Sequence, residues 1–351
     1  MKKRYLTLTI SLLLAASGLF TSAPSYAQTD PAAPATTVQD TQAAAESSSS
    51  GTTDRTSAAR TVSSDQVTIP AAASQGAGKD DIKKDIIRYS FLMGVPALTY
   101  FFAIYAWSWG DRSHWLWAHE GYFGEQTYQG GEDKFAHAFS HYLVMRAACN
   151  IFDYTENGHP RKWLYAGGLT LVLGLSIEVG DAYSGENGFS FEDITANMVG
   201  ITLGYLLEKY PLADKFVGYS ATYIPTRYYR DHPNMLWKFP DDYSGWKFML
   251  NFKLAGFEYL GIKLPDFLRY VMLDVGFYAR NYTKYDNHGL GEDKSLWRET
   301  RRYWFVGASV NMMEVVNSCF DRKASFWNSA LQQPFKYYHV PAGYSIDTRI
   351  D

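Results

Sequence analysis

The side chains best placed to do chemistry begin in the stretch Gly130-Gly131-Glu132-Asp133-Lys134-Phe135-Ala136-His137-Ala138-Phe139-Ser140-His141. Two glycines end a loop, Glu132 or Asp133 can cap a helix, and Asp133, His137 and His141 then recur every four residues on one helical face. A histidine pair at i, i+4 is a spacing that can chelate a metal. Glu178 and Asp181 follow at i, i+3 where an apolar helix ends, and Asp193 and Asn197 at i, i+4 inside the helix after Gly188-Phe189-Ser190.

Ionisable groups on apolar helices are costly unless they pair, ligate or change protonation state. One solution is a divalent metal such as zinc held by His137, His141, Glu178, Asp181 and Asp193, with a position open to water for Lewis-acid hydrolysis. A second is a metal-free acid/base set in which Lys134 or His137 pairs with a carboxylate of raised pKa, Glu178 and Asp193 being the carboxylate candidates. The third is a hydrogen-bonded network of Asp133, His137, Asp193 and Asn197 that locks helices together. Residue by residue, this structural reading leads.

The elements that must position these groups are readable from apolar runs. Residues 89–110 carry no charged side chain over 22 positions, long enough to cross a bilayer. Pro96 inside the run, and Trp107-Ser108-Trp109 at its end, suit a buried or interfacial helix equally well. Residues 163–177 and 194–207 are uncharged for 15 and 14 positions, short for a span and ordinary for core helices. Gly200 and Gly204, four apart, would let two helices approach closely.

Beyond residue 210 the period changes to two. Trp246, Phe248, Leu250, Phe252 and Leu254 alternate with Lys247, Met249, Asn251 and Lys253. The pattern repeats at Val271, Leu273, Val275, Phe277 and Ala279, and at Trp304, Val306, Ala308, Val310 and Met312, which predicts an antiparallel sheet of about four strands. An outer-membrane barrel needs at least about eight strands, so a small sheet packed on or around the helices is expected instead.

Lys2, Lys3 and Arg4, an apolar run over residues 6–20 and Ser25-Tyr26-Ala27 form a signal-peptide pattern with cleavage after Ala27. The mature chain would carry a net charge of -6, which excludes a nucleic-acid binder driven by bulk positive charge. No Cys lies near the cleavage point, so a lipidated Cys anchor is not expected. Residues 28–79 are rich in Ala, Ser and Thr, include four consecutive serines and hold no aromatic residue, which reads as a disordered tether. The 351-residue chain has 58 aromatics, of which 55 fall in residues 80–351, one large or two modest domains.

Weaker candidates are Ser184 and Ser190, which lack the Gly-x-Ser-x-Gly elbow of a nucleophile, Ser190 being well placed as an N-cap. Residues 185–188 lack the Gly-Lys-Ser/Thr of a phosphate loop. His114, His119 and His159 lie in polar or aromatic loops and read as surface residues. Cys149 and Cys319 could form a disulfide in an oxidising compartment, or Cys149 could be a small core residue.

Gly-Glu-Asp-Lys134-x-x-His137, then Glu178 before a small-residue turn, then Gly188-Phe-Ser-x-x-Asp193-x-x-x-Asn197-x-x-Gly200 resembles the YfiM-like family of bacterial envelope proteins of the periplasmic lipoprotein type. More distantly, Lys-x-x-His, Glu and Asp-x-x-x-Asn-x-x-Gly in that order are similar to VanZ-like membrane proteins. The resemblance covers residues 122–210 and implies an envelope protein with a helical, membrane-proximal core, without implying a reaction.

The expectation is an α+β, membrane-associated protein: signal peptide 1–27, tether 28–79, a domain of four to five apolar helices over 80–215 and a strand-rich region over 216–351. Its function reads as non-catalytic or lipid-handling work at the outer membrane, with membrane lipid or envelope components as partners. The alternative is a metal-dependent hydrolase or lipid-modifying enzyme using His137, His141, Glu178, Asp181 and Asp193.

Overall fold

A computed structural model describes residues 79–156, 160–185, 187–290, 293–320 and 326–350. The signal peptide, the tether up to residue 78 and His159 lie outside the described residues. The fold is α+β: helices come first, and an antiparallel sheet forms the C-terminal part.

Helix α1 (Lys79–Ala106) runs through Pro96, α2 (Glu132–Thr155) carries the Asp-Lys-His stretch, and α3 (Lys162–Asp181) and α4 (Phe191–Lys209) pack beside α2. Short helices α5 (Pro211–Phe216) and α6 (Arg227–Asp231) border the sheet. Helices α7 (Met312–Cys319) and α8 (Phe326–Tyr337) come between its last two strands in chain order. The expected close approach at Gly200 is present: a Cβ there would stand 2.0 Å from the Ala138 carbonyl oxygen. One at Gly204 would meet Met145 at 3.0 Å.

Two short strands, β1 (Trp117–Ala118) and β2 (Phe189–Ser190), pair in parallel and bring the loop before α2 to the start of α4. The main sheet runs β3 (Val217–Tyr223), β4 (Trp246–Lys253), β5 (Val271–Arg280), β6 (Arg301–Val310) and β7 (Gly343–Arg349), each antiparallel to the next. It therefore has five strands rather than about four, and Met312 opens α7 instead of ending a strand. The segment before β7 returns to β3: Tyr338 bridges Ala221, and the His339 amide donates to the Ala221 carbonyl at 2.9 Å. The sheet is curled on itself.

Register sorts the two faces. One carries Tyr219, Phe248, Leu250, Val275, Phe277, Trp304, Val306 and Ile346, and the other Ser220, Lys247, Asn251, Asp274, Ser309 and Asp347. The apolar face meets α2 at one end, where the Phe135 and Phe277 rings stack at 4.9 Å and Phe139 lies 5.7 Å from Phe248. Beyond α2 the apolar face points outward, with Leu250, Phe252, Leu273, Val275, Val306 and Ile346 exposed, while Asn251, Lys253 and Asp274 are buried. Asp214 of α5 joins the two parts, accepting from Arg146 on α2 at 2.6 Å and from Lys336 on α8 at 2.9 Å.

Cys149 and Cys319 are not paired: Cys149 is buried in the α1–α4 core and Cys319 is exposed. Cys149 is the small core residue of the two readings.

Candidate functional site: a buried charge cluster

The cluster is assembled at the N-terminus of α2. Gly131 is the N-cap, with φ of 89°, where a Cβ would stand 2.5 Å from the Tyr122 carbonyl oxygen. Only glycine fits this turn, so the cap is Gly131 and Glu132 and Asp133 occupy the first helical turn. Glu132 is wholly buried and accepts from the Ala279 amide at 2.9 Å, fastening α2 to β5.

Lys134 is the hub. Its Nζ donates to Asp193 Oδ1 at 2.6 Å, to Asp133 Oδ2 at 3.1 Å and to Glu120. Ser190 places Asp193 by capping α4, its Oγ accepting from the Asp193 amide at 3.1 Å. Tyr243, arriving from the start of the sheet region, donates to Asp133 Oδ1 at 2.6 Å. Burial disfavours the Lys134 ammonium, and Asp133, Asp193 and Glu120 more than reverse this, so it is charged. Burial, with the neighbouring Asp133 and Asp193 charges, raises Glu120 to about 7 against the opposing pull of Lys134.

His137 stands one turn along α2. Its Nδ1 lies 3.0 Å from Asn197 Oδ1, so the ring donates there, and 3.7 Å from Glu178 Oε1; Nε2 lies 3.7 Å from Asp133 Oδ1. Burial pulls the imidazole down, but Asp193, Asp133 and Glu178 outweigh it and push it up to about 10. Asp133 is raised by burial and lowered further by His137 and Lys134, ending at about 2. Burial raises Glu178 to about 9, with the nearby Asp193 and Asp181 adding to it and His137 opposing. Its Oε2 accepts from the Ser190 amide at 3.3 Å, and its Oε1 has no hydrogen-bond partner among the described residues.

The sequence-derived set divides. Lys134, His137, Asp133, Asp193, Glu178 and Asn197 come together. His141 lies behind them, its Nδ1 donating to the His137 carbonyl at 2.9 Å, and burial followed by the His137 charge lowers it to about 3. Its Nε2 and Asn197 Nδ2, both without a partner among the described residues, face Gly174, where a Cβ would stand 2.6 and 3.1 Å from them. Asp181 is held apart, accepting from the Trp109 indole at 2.7 Å and from Asn187 at 3.2 Å. Trp107 likewise donates to Asp241 at 2.9 Å, so the aromatic end of α1 is fastened into the protein.

Ligand atoms of Asp133, His137 and Asp193 all lie within 4.8 Å of one another, a geometry able to hold an ion. The same two aspartates also hold the Lys134 ammonium, so any ion there shares their oxygens with a resident cation. Ser184 donates to the Trp107 carbonyl at 2.7 Å, and His114 and His119 are exposed.

Glu120 and Tyr243 were not in the sequence-derived set. Glu120 lies in an aromatic loop with no helical spacing to Lys134, and Tyr243 is 110 residues from its partner Asp133. A lone acid beside Trp115 and Trp117 was the single available hint.

No curated protein and no solved structure matches the chain. A family model described as "Predicted periplasmic lipoprotein (DUF2279)" matches residues 119–209, the segment from the loop before Glu120 to the end of α4. Over that quarter of its length the chain is similar to an uncharacterised family of predicted periplasmic lipoproteins, which supports an exported envelope protein.

Proposed function

We propose that the chain is a membrane-associated envelope protein with a non-catalytic, lipid-handling role at the outer membrane, its charge cluster serving as the internal lock of the helical part. The observation that carries this reading is the inverted distribution of polarity. Windows of α1 and α3 are long and apolar enough to cross a membrane, yet only 11% and 28% of them are buried. Met93 on α1 is 72% exposed and Val172 on α3 65%, whereas Glu178 is 1% exposed. Water penalises such apolar surfaces, and lipid does not. The outward apolar face of the sheet continues the same surface type. The resemblance in order and spacing to YfiM-like and, more distantly, VanZ-like proteins supports a membrane-proximal helical core.

Washing envelopes with alkaline carbonate tests it. The mature protein is expected to stay with the membrane pellet, and release into the supernatant would overturn lipid contact.

A metal-dependent hydrolase is the second reading, favoured by the convergence of Asp133, His137 and Asp193 within 4.8 Å. There His137 and the two aspartates would ligate the ion, while Glu178, which faces His137 Nδ1 and is raised to about 9, would be a protonated acid able to donate. Near-stoichiometric metal together with ester hydrolysis by the mature protein, both lost in His137→Ala, would establish it.

A further inference from the structure

The polar face of the curled sheet lines an open cavity of about 520 Å³, separate from the helical cluster. Five basic side chains line it, Arg227, Arg230, Lys247, Arg280 and Arg298, against two carboxylates, Asp274 and Asp286. Both carboxylates are already engaged. Asp274 accepts from Asn251 at 2.7 Å, and Asp286 from Ser244 Oγ, the Thr283 amide and Thr283 Oγ1 at 2.8, 3.0 and 2.7 Å.

The cations are less well neutralised. Lys247 and Arg280 stand over the ring of Tyr278, at 4.1 and 4.2 Å from its centroid. Lys247 has Asp347 at 3.9 Å, and Arg280 donates to the Trp246 and Ala279 carbonyls at 3.2 and 2.7 Å; both cations also feel the charges of Asp347 and buried Glu132, without a direct hydrogen bond to either among the described residues. Arg230 and Arg298 also donate to backbone carbonyls, and Arg227 has only Asp231, at 3.5 Å on the exposed surface. Two cations close to one aromatic ring in a half-buried site repel each other, and burial with the Arg280 charge lowers the Lys247 pKa despite Asp347. An anion that enters relieves this repulsion.

We infer that this cavity is a binding site for a phosphate-bearing anion, with Lys247 and Arg280 at its floor and Arg227, Arg230 and Arg298 as further cationic contacts. Guanidinium groups match phosphate oxygens through paired N–H donors, and a lysine adds a point charge. The cavity is large enough for a phosphate ester with a small polar substituent, of the kind found in a free sugar or glycerol phosphate and in a phospholipid headgroup. The inference does not depend on the membrane reading, because either source presents the same group.

Calorimetric titration of the mature protein with glycerol 3-phosphate, and co-sedimentation with phosphatidylcholine vesicles with or without phosphatidylglycerol, test it. Binding is expected in at least one arm: the free ester alone identifies a soluble ligand, and vesicles alone identify a headgroup. Lys247→Met with Arg280→Met should abolish it. Arg227→Gln with Arg230→Gln, confined to exposed side chains, should weaken it about tenfold without touching the fold, and exposed Lys263→Gln should leave it unchanged. No binding in either arm overturns the inference. So does binding that the Arg227, Arg230 double variant leaves intact.

Discussion

The helical cluster and the sheet cavity both place charge inside and apolar side chains outside, but they balance that charge in opposite ways. Around α2 each buried cation is matched: Lys134 touches three carboxylates, and Arg146 touches Glu208 and Asp214 at 2.6 Å each. Inside the sheet, Lys247 and Arg280 share an aromatic ring, and the carboxylates that face them, Asp347 and the buried Glu132, make no contact shorter than 3.9 Å with Lys247 and no hydrogen bond with Arg280 among the described residues. A closed set of charges holds helices in register, whereas an open set leaves electrostatic work for something else to complete.

That contrast breaks most visibly at Lys134. Lys134→Met leaves buried Asp133 and Asp193, and half-buried Glu120, without their shared cation, and should cost about 3–5 kcal/mol of unfolding free energy by denaturant titration. Gly200→Ala strikes the same helix pair by sterics alone, since its Cβ would stand 2.0 Å from the Ala138 carbonyl oxygen, and should cost about 1–3 kcal/mol. Lys247→Met removes an incompletely neutralised cation instead, so its stability should stay within about 1 kcal/mol of the parent or rise. Equal losses for Lys134→Met and Lys247→Met would erase the distinction between the two regions.

Alkaline titration sharpens it. His137 titrates at about 10 in the fold against 6.5 when unfolded, so its stabilisation is complete below about pH 6.5 and is lost as pH rises through 10. Asp133 has the opposite sign: held at about 2 against 3.8, it stabilises above about pH 4 and its contribution disappears as pH falls through 2. Unfolding midpoints followed against pH should show a shallower alkaline decline in His137→Gln, the remainder coming from Lys134, Glu178 and Glu120, and keep the full decline in Lys247→Met. The smallest effect on folding is expected at Met93→Glu, within about 0.5 kcal/mol on an exposed helix face, while carbonate-resistant membrane retention weakens.

Much of the helical site was legible because helical spacing is local. Asp133 and His137 share a face by their separation, Ser190 caps α4 as a serine before Glu192-Asp193 should, and Gly200 marks a close approach. Glu120 and Tyr243 were illegible because chain closure, not spacing, delivers them to Asp133 and Lys134. In the sheet, period-two alternation located β4, β5 and β6 and showed that their faces differ. It could not say which face turns inward: Leu250 and Phe252 are exposed while Asn251 and Lys253 are buried. That choice follows from the curl that brings Tyr338 to Ala221 across 117 residues, and from α2 covering only one end of the apolar face. Strands β3 and β7 escaped notice because Val217–Tyr223 directly follows a helix and Gly343–Arg349 mixes polar residues into both faces.

The central claim is that the helical charges close on themselves. Metal content by elemental mass spectrometry, on protein purified without chelators or a histidine tag, tests this most directly when set beside the His137→Ala, His141→Ala double variant. The account predicts no stoichiometric metal in either sample and a marked loss of stability in the variant. Near-stoichiometric zinc, manganese or iron in the parent that disappears in the variant would contradict it and make the cluster a metal centre instead.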